Sequence, residues 1–398
     1  MLLVNLIVEE NIMSIASADT LAAASPPFSV TNAVREITPI LTERAATVDE
    51  SDTFVAENYA LLKEVGLVEA GVPSELGGAG AEVAQLAEML RIMAHACGST
   101  ALAFSMHTHQ VAIPAWRWRY QQVAAVEPLL KRVATERIIL LSSGGSDWIG
   151  GSGRATKVEG GYRINARKTF TSGAPAGNLL MTGAVCEDSD AGPMVIHFGA
   201  PLAAAEVTIQ ETWRALGMRG TGSHDVVIDD LFVPDAGVAF SRRAGEWHPV
   251  FQIIATIAFP LIYAVYLGVA ESARDLAIEL AKNKAQTNHS LDLAGRMDTS
   301  LRAARLAHRW MVETAELNVP SADTVNEVMI GRSLVAKNAI RTVELALELA
   351  GGTGFYRRNG LERRFRDIQA ARFHPLQSGP QARYTGAMAF GQPVTQIF

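Results

Sequence analysis

Three blocks with different spacings of apolar residues follow one another along the 398-residue chain, and their order limits the possible folds. Helical spacing runs over residues 31–137 and returns over residues 241–398. Between them, residues 138–240 form short β-rich runs separated by Gly, Asp, Asn and Pro. About a hundred residues of turn-bounded strands predict a small antiparallel barrel or sandwich. We therefore predict a mainly α fold with a middle β domain, and not a doubly wound sheet.

The first 30 residues differ from these blocks. Residues 14–27 are rich in Ala, Ser and Pro, and we predict that residues 1–30 form a flexible arm. The apolar start has no basic region and soon meets two glutamates, so it is a poor signal peptide, and Met13 is a second candidate start. We find no apolar run of the roughly 18 residues that span a membrane, so no membrane association is expected.

The charge and the cysteines exclude several classes of protein. A net charge of −6 with scattered basic residues argues against a nucleic-acid partner. Cys97 and Cys186 provide neither a disulfide framework nor a metal site, and we interpret both as small buried residues. A reducing, cytoplasmic location fits this cysteine usage. No Gly-x-Gly-x-x-Gly follows a predicted strand, so a Rossmann dinucleotide site is not supported.

A family resemblance is carried by five segments that occur in a fixed order: residues 75–80, 145–147, 160–173, 216–234, and 351–355 together with Arg366-Asp367. In this order they resemble the acyl-CoA dehydrogenase superfamily over nearly the whole chain after the arm. The resemblance implies an N-terminal helical domain, a middle β-barrel and a C-terminal four-helix bundle. It also implies a homo-oligomer, with a tetramer expected, and the apolar C-terminal helices independently favour a partner.

The resemblance implies a flavin cofactor, FMN or FAD, against the strand that contains Phe170. In this family an aromatic residue at the position of Phe170 stacks on the flavin ring, and a hydroxyl at the position of Ser172 reaches flavin N5. Thr171 is an alternative to Ser172, because a shift of one residue reverses the face of a strand. Ser146 is implied as a further cofactor contact. Without the resemblance, Phe170 would be interpreted as barrel core and Ser172 as a turn residue.

The resemblance also implies cofactor contacts near the C-terminus. Gly351 and Gly352 follow a predicted helix, where glycines commonly form a C-cap. In the family this loop approaches the cofactor, often across a subunit contact, and Glu348 stands where many members carry a glutamine. Arg366 is implied as a further cofactor-binding residue.

One departure from the family concerns the phosphate end of the cofactor. The arginine that usually binds the FAD pyrophosphate is expected just after Ala281, where this chain carries Lys282-Asn-Lys284. The departure leaves room for FMN, whose single phosphate needs no such clamp.

A second departure concerns the base that an acyl-CoA dehydrogenase needs to remove an α-proton. Most members carry that carboxylate nine residues after the Arg of Arg-Asp, and here this position is Pro375. Others carry it ten residues before the glycine that matches Gly268, and here this position is Ala258. Neither residue can act as a base. His374 stands one residue before the proline.

This pattern resembles the flavin-dependent monooxygenase branch of the superfamily, which includes phenol hydroxylases and monooxygenases of sulfur heterocycles. Those enzymes take reduced flavin from a separate reductase and use oxygen. The resemblance implies that His374 and Ser172 hold the activated oxygen and that His109 lies near the substrate. A histidine suits this task because it can donate a hydrogen bond and move a proton near neutral pH. A satisfied core histidine is the alternative for His109.

Three hypotheses follow from these residues. The leading hypothesis is a two-component flavin monooxygenase that acts on a small aromatic or heterocyclic compound. The second is an FAD-dependent acyl-CoA dehydrogenase with an unrecognised base, and the third is an inactive binding scaffold. Trp116, Trp118 and Tyr120 either wall a pocket for a flat substrate or belong to the core.

Overall fold

The computed structural model describes residues 28–187 and 192–396. The arm predicted over residues 1–30 therefore lies almost wholly outside the described residues. At its end, Ser29 caps the first helix, since its hydroxyl accepts a hydrogen bond from the N–H of Asn32 at 3.4 Å.

From residue 28 onward, where the described part begins, five α-helices form the N-terminal part, and each places an apolar side against its neighbours. Their bounds are Val30–Ser51 (α1), Ala56–Glu64 (α2), Val83–Ala96 (α3), Gly98–Gln121 (α4) and Glu127–Glu136 (α5). In α3, Leu86, Leu90 and Met93 recur at helical spacing and are all buried. Burying one such side chain stabilises a fold by about 1.5–3 kcal/mol, which makes this stripe the main support of α3.

Among the described residues, eight strands form one sheet in the middle of the chain. Their bounds are Leu140–Ser142 (β1), Arg154–Val158 (β2), Gly161–Thr171 (β3), Leu179–Cys186 (β4), Met194–Pro201 (β5), Val207–Gln210 (β6), His224–Pro234 (β7) and Val238–Arg243 (β8). The hydrogen-bonded order is β6-β7-β3-β2-β4-β5-β8, and β1 also pairs with β4. The middle β domain is confirmed, with one correction to its antiparallel pairing. Both β1 and β2 run parallel to β4, because β3 carries the chain back antiparallel to β2 before β4 begins.

Up to residue 396, where the second described range ends, three long α-helices and two short ones form the C-terminal part. Their bounds are Val250–Ala281 (α6), Asn288–Glu316 (α7), Ala322–Ala350 (α8), Leu361–Ile368 (α9) and Ser378–Ala389 (α10). Helices α6, α7 and α8 pack on one another, and α3 and α4 pack on α6. The described helical, β and helical parts therefore follow the predicted order, and α6 lies at the junction between the two helical parts.

Helix α6 corrects the expectation that no apolar run is long enough to cross a membrane. By length and composition alone, α6 is long and apolar enough to cross a membrane. Gln252 and Thr256 interrupt its apolar run without making the helix polar on average. However, 94% of its most apolar window is buried inside the protein. We therefore interpret α6 as the central core helix.

Candidate functional site

The end of β3 presents an aromatic ring outward. Phe170 has a φ of 56°, which lies in the left-handed region that bulky residues rarely adopt, and the pairing of β3 with β7 is irregular between Lys168 and Thr171. Phe170 is 61% exposed, and its ring meets Trp213 edge-on, with 6.0 Å between ring centroids. The alternative that Phe170 belongs to the barrel core is therefore wrong.

Three buried hydroxyls form a chain of hydrogen bonds that ends at Ser172, two residues after Phe170. Thr221 Oγ1 lies 2.9 Å from the carbonyl oxygen of Met218 and 2.7 Å from Ser223 Oγ, which in turn lies 2.8 Å from Ser172 Oγ. A carbonyl only accepts, so the proton of Thr221 goes to Met218. Ser223 must then donate to Thr221, and Ser172 must donate to Ser223. The oxygen of Ser172 is left with its lone pairs and can accept a hydrogen bond from a ligand.

The alternative hydroxyl, Thr171, faces differently. It is fully buried, and its hydroxyl donates to the carbonyl of Lys168 at 3.4 Å. Lys168 itself is anchored beneath the strand, where its ammonium contacts Asp147, Ser152 and the carbonyl of Gly183 at 2.6–3.0 Å. These contacts hold β3 from inside, so Ser172 is the better candidate for a ligand contact.

The loop after β1 meets the C-terminal segment at a glycine. A Cβ on Gly145 would overlap the ring of Pro375, so only glycine permits this close approach. The neighbouring Gly144 donates its N–H to the carbonyl of Thr169 at 3.0 Å, which ties the loop to the end of β3. The structure thereby brings Phe170, Ser172 and the 374–375 pair into one neighbourhood. Ser146 lies in the short turn 145–147, and its side chain is outside the described part of the structure.

His374 is held by two elements of the helical bundle. Its Nε2 lies 2.6 Å from the hydroxyl of Tyr266 on α6, and its carbonyl accepts a hydrogen bond of 2.7 Å from Arg332 on α8. Burial lowers the pKa of His374 to about 3, and the positive charge of Arg332 and the nearby His109 act in the same direction. The imidazole is therefore neutral at physiological pH.

His109 lies on α4, close enough to act on His374 electrostatically. It is buried, with Nδ1 2.9 Å from the carbonyl of Ser105, and burial lowers its pKa to about 4. Its Nε2 has Gln110 at 3.4 Å. His109 thus stands near the predicted site, but as a neutral, locally bonded side chain.

Glu348, Gly351 and Gly352 line a different, open concavity. It has a volume of about 480 Å³, and its other lining residues come from α8, α9 and the turn between them. Glu348 is half exposed, and a Cβ on Gly351 or Gly352 would meet nothing within 4 Å. No residue of the β-sheet lines this concavity. The predicted cofactor residues thus fall into two groups.

Arg366 has a bracing role in this structure. All five of its N–H donors are used within the chain, on the carboxylates of Asp49 and Glu362 and on the carbonyl of Leu216. No donor remains for a phosphate. Arg366 is thus a brace between α1, α9 and the 216–218 loop, and the cofactor role that the resemblance implies for it stays a prediction.

Several residues of the site are absent from the sequence-based prediction. Tyr263 and Tyr266 are two of them, yet two hydroxyls at helical spacing in an apolar run are a signal for a buried polar contact. Lys284, noted only as a departure, donates to the carbonyl of Ala350 at 2.8 Å and to Thr353 at 3.3 Å. It therefore fixes the end of α8 beside the open concavity.

Comparison with protein families matches most of the two helical parts. Residues 29–123 match the acyl-CoA dehydrogenase N-terminal domain, and residues 261–378 match the acyl-CoA dehydrogenase C-terminal domain. Together the two matches cover more than half of the chain.

Individual relatives span nearly the whole chain and differ in activity. A protein named as an acyl-CoA dehydrogenase, YdbM of Bacillus subtilis (strain 168), is 26% identical over 87% of this chain and 93% of its own length. The indole-3-acetate monooxygenase of Pseudomonas putida is 26% identical over 83% of this chain and 85% of its own length. A structure of KijD3 with FMN and a dTDP-linked amino sugar has a TM-score of 0.84 at 24% identity, over 94% of this chain and 96% of that one. On the family matches, with this fold, the chain belongs to the acyl-CoA dehydrogenase superfamily.

Proposed function

We propose that this chain is a flavin-dependent monooxygenase that uses reduced flavin and oxygen on a small aromatic or heterocyclic substrate. The observation that carries the proposal is the 374–375 pair. A neutral histidine lies beside the candidate flavin face, and a proline occupies the position where a dehydrogenase of this superfamily carries its base. The named relatives include a monooxygenase of an aromatic acid, which supports the same class.

The residues at the end of β3 fit a flavin. An exposed aromatic ring at Phe170 offers a stacking face, and Ser172 offers an acceptor oxygen at the edge. When bound, reduced flavin supplies two electrons to oxygen, so that one oxygen atom enters the substrate and the other leaves as water. N5–H of reduced flavin would donate a hydrogen bond to the oxygen of Ser172, whereas N5 of oxidised flavin has only a lone pair and nothing to donate. We expect tighter binding of reduced flavin.

Each remaining residue has a role that its contacts allow. His374, as a neutral imidazole, has one N–H to donate to oxygen beside the flavin. His109 lies on the neighbouring helix and contributes to the wall on the substrate side. The open concavity around Gly351 and Gly352 would face the cofactor of another subunit, in a homo-oligomer that we expect to be a tetramer.

A separate flavin reductase is the proposed electron donor. The sequence carries no glycine-rich dinucleotide fingerprint after a strand, so the chain offers no recognisable site for a nicotinamide nucleotide. Reduced FMN is favoured over reduced FAD, because the arginine that usually binds the FAD pyrophosphate is missing after Ala281. Lys284, which stands in that segment, is already hydrogen-bonded to Ala350 and Thr353. A cytoplasmic location fits the two free, buried cysteines.

The alternative function is that of an acyl-CoA dehydrogenase, and Asp367 is the observation that favours it. Burial raises the pKa of this carboxyl to about 6, which suits a general base. Against it, Asp367 accepts a hydrogen bond from the N–H of Met218 and is almost fully buried. Its place beneath the 216–218 loop favours a structural role.

Two measurements separate these functions. Anaerobic titration of the purified protein with oxidised and with photoreduced FMN should give tighter binding of the reduced form. Anaerobic addition of acyl-CoA thioesters to the FAD-loaded protein should leave the flavin absorbance unchanged. Equal affinity for both redox forms, or bleaching of bound FAD at a catalytic rate, would overturn the monooxygenase proposal.

A further inference from the structure

Two tyrosines on α6 contact the segment that carries His374, and they do so in different ways. Tyr263 and Tyr266 are three residues apart on the same helix, and both are fully buried. The hydroxyl of Tyr263 donates to the carbonyl of Ala371 at 2.9 Å, which is a main-chain contact. The hydroxyl of Tyr266 instead meets Nε2 of His374 at 2.6 Å, which is a contact with the imidazole itself.

The direction of the Tyr266–His374 hydrogen bond follows from the protons that are available. Burial raises the pKa of Tyr266 well above its ordinary value, so the phenol keeps its proton. The imidazole of His374 is neutral and carries one proton. If that proton were on Nε2, it would point at the phenol oxygen, and the phenol proton would have no acceptor among the described residues. A buried donor without an acceptor costs free energy, so the phenol donates and Nε2 accepts.

The groups on the other elements that pack around the imidazole are consistent with donation from the Tyr266 phenol to Nε2 of His374. Arg332 on α8 bonds the carbonyl of His374 and places a positive charge beside the ring, and His109 on α4 faces it as a neutral side chain. Asp367 acts electrostatically on Tyr266 and opposes loss of the phenol proton. Nδ1 of His374 forms no hydrogen bond with the part of the chain that the structure describes. It is the one ring atom left for a ligand.

We propose that Tyr266 is a positioning residue that fixes His374 as its Nδ1–H tautomer, so that the histidine presents a single hydrogen-bond donor to the ligand. The proposal rests on the role given to His374 in the proposed function. Without the phenol, Nε2 loses its donor and the proton can occupy either nitrogen. The donor would then be present at Nδ1 in only part of the molecules.

The test reads the tautomer directly in the flavin-free protein. Protein labelled with ¹⁵N-histidine is studied by long-range ¹H–¹⁵N correlation, in which the two neutral tautomers give different patterns. The His374 signal is identified by its loss in His374→Ala. We expect a protonated Nδ1 and a hydrogen-bonded, unprotonated Nε2 in the wild type. An Nε2–H tautomer in the wild type would overturn the proposal, and this result needs no Tyr266 variant that folds.

Two matched hydroxyl deletions separate positioning from packing. Tyr266→Phe should give a mixture of both tautomers, whereas Tyr263→Phe, which removes the same atom from the same helix, should leave the tautomer unchanged. With reduced FMN and oxygen, Tyr266→Phe should release hydrogen peroxide about tenfold faster than the wild type, the equivalent of one hydrogen bond. An unchanged tautomer in Tyr266→Phe would contradict the proposal.

The same experiment distinguishes failure of the inference from failure of the proposed function. If His374→Ala releases peroxide no faster than the wild type, the proposed role of His374 is wrong, whatever the tautomer. If His374→Ala does accelerate release while the tautomer is the same in the wild type and in Tyr266→Phe, the role stands and Tyr266 does not set it.

Discussion

The two segments that the sequence assigns to the cofactor are built in opposite ways. Around His374, buried polar groups on α6 and α8 hold both the main chain and the side chain. Around Gly351, the wall is largely apolar and open, and Phe355 is 79% exposed. The first segment is complete within one chain. The second offers an apolar surface that the described residues leave open, which is the arrangement expected at a subunit contact.

The largest effect should come from the segment around His374. In His374→Ala, the donor beside the flavin is lost, and we expect hydrogen peroxide release from the reduced, FMN-loaded protein to rise by about 10²-fold, at the lower end of what a positioned acid or base contributes. FMN affinity should change little, because His374 is not among the groups proposed to bind the ring. Stopped-flow mixing with oxygen and a peroxide assay provide the measurement.

A buried histidine of α7 that also contacts α6 is the control. Nε2–H of His308 donates to the carbonyl of Pro260 on α6 at 2.8 Å, so His308→Ala removes an imidazole that is hydrogen-bonded to the same helix as His374. It should lower stability and leave peroxide release unchanged. Equal acceleration in both variants would mean that the bundle, and not His374, controls the reaction with oxygen.

The next effect concerns the free energy of unfolding, to which the buried carboxyl of Asp367 contributes near the segment around His374. Burial raises the pKa of Asp367 from 3.8 to about 6. Between these two values the folded state binds more protons than the unfolded state, so this group lowers the free energy of unfolding as pH rises from about 4 to 6. The full loss is about 3 kcal/mol and remains constant above that window.

Asp367→Asn should remove that pH-dependent loss. The amide oxygen can still accept from Met218, so the variant should gain stability relative to the wild type as pH rises from 4 to 7. Denaturant unfolding at several pH values measures the difference. Asp292→Asn, which alters a surface pair with Arg296 on α7, is the control and should show no such trend. A constant offset across the pH range would mean that Asp367 titrates normally.

The comparison also shows which features a sequence can predict. Helical and alternating spacings are local patterns, so the order of the three parts and the apolar faces of α2 and α3 could be read from them. The contact between Tyr266 and His374 spans 108 positions, and that between Asp49 and Arg366 spans 317. No local pattern encodes such a pair. The Arg-Asp motif is therefore a correct family marker, whereas the contact of its arginine with Asp49 has no local signal in the sequence.

Phe170 shows a different limit. Its place in the strand was predicted, but its exposure depends on an irregular pairing of β3 with β7 and on a positive φ. Both arise from the register of two strands that are distant in sequence. A propensity scale would favour a buried phenylalanine in this position, and the tertiary register overrides it.

A smaller effect is expected in the segment around Gly351, at the exposed Phe355. Phe355→Ser should weaken subunit association by about 2 kcal/mol per contact, since burying a phenylalanine contributes about that much. Light scattering at micromolar concentration should then show a shift towards smaller species. Leu317→Ser, at an exposed residue after α7, is the control. A wild-type protein that is already a 42.7 kDa monomer would contradict the contact itself.

The smallest effect separates backbone strain from cofactor contact in the same open loop. Gly351 has φ 60° and ψ −150°, a region that is almost restricted to glycine, whereas its neighbour Gly352 has no positive φ. A Cβ at either position meets nothing within 4 Å in the single chain. Gly351→Ala should therefore cost about 1 kcal/mol of stability through strain alone, and Gly352→Ala should leave the thermal midpoint of unfolding nearly unchanged.

If the loop faces the cofactor of a neighbouring subunit, Gly352→Ala should still weaken the binding of reduced FMN, because the added methyl would occupy space that is empty only in the isolated chain. Fluorescence titration and thermal unfolding of the two variants measure these quantities side by side. Unchanged FMN affinity in Gly352→Ala, with Gly351→Ala affecting stability alone, would leave the loop as a helix end and would confine the flavin site to the residues around Phe170, Ser172 and His374.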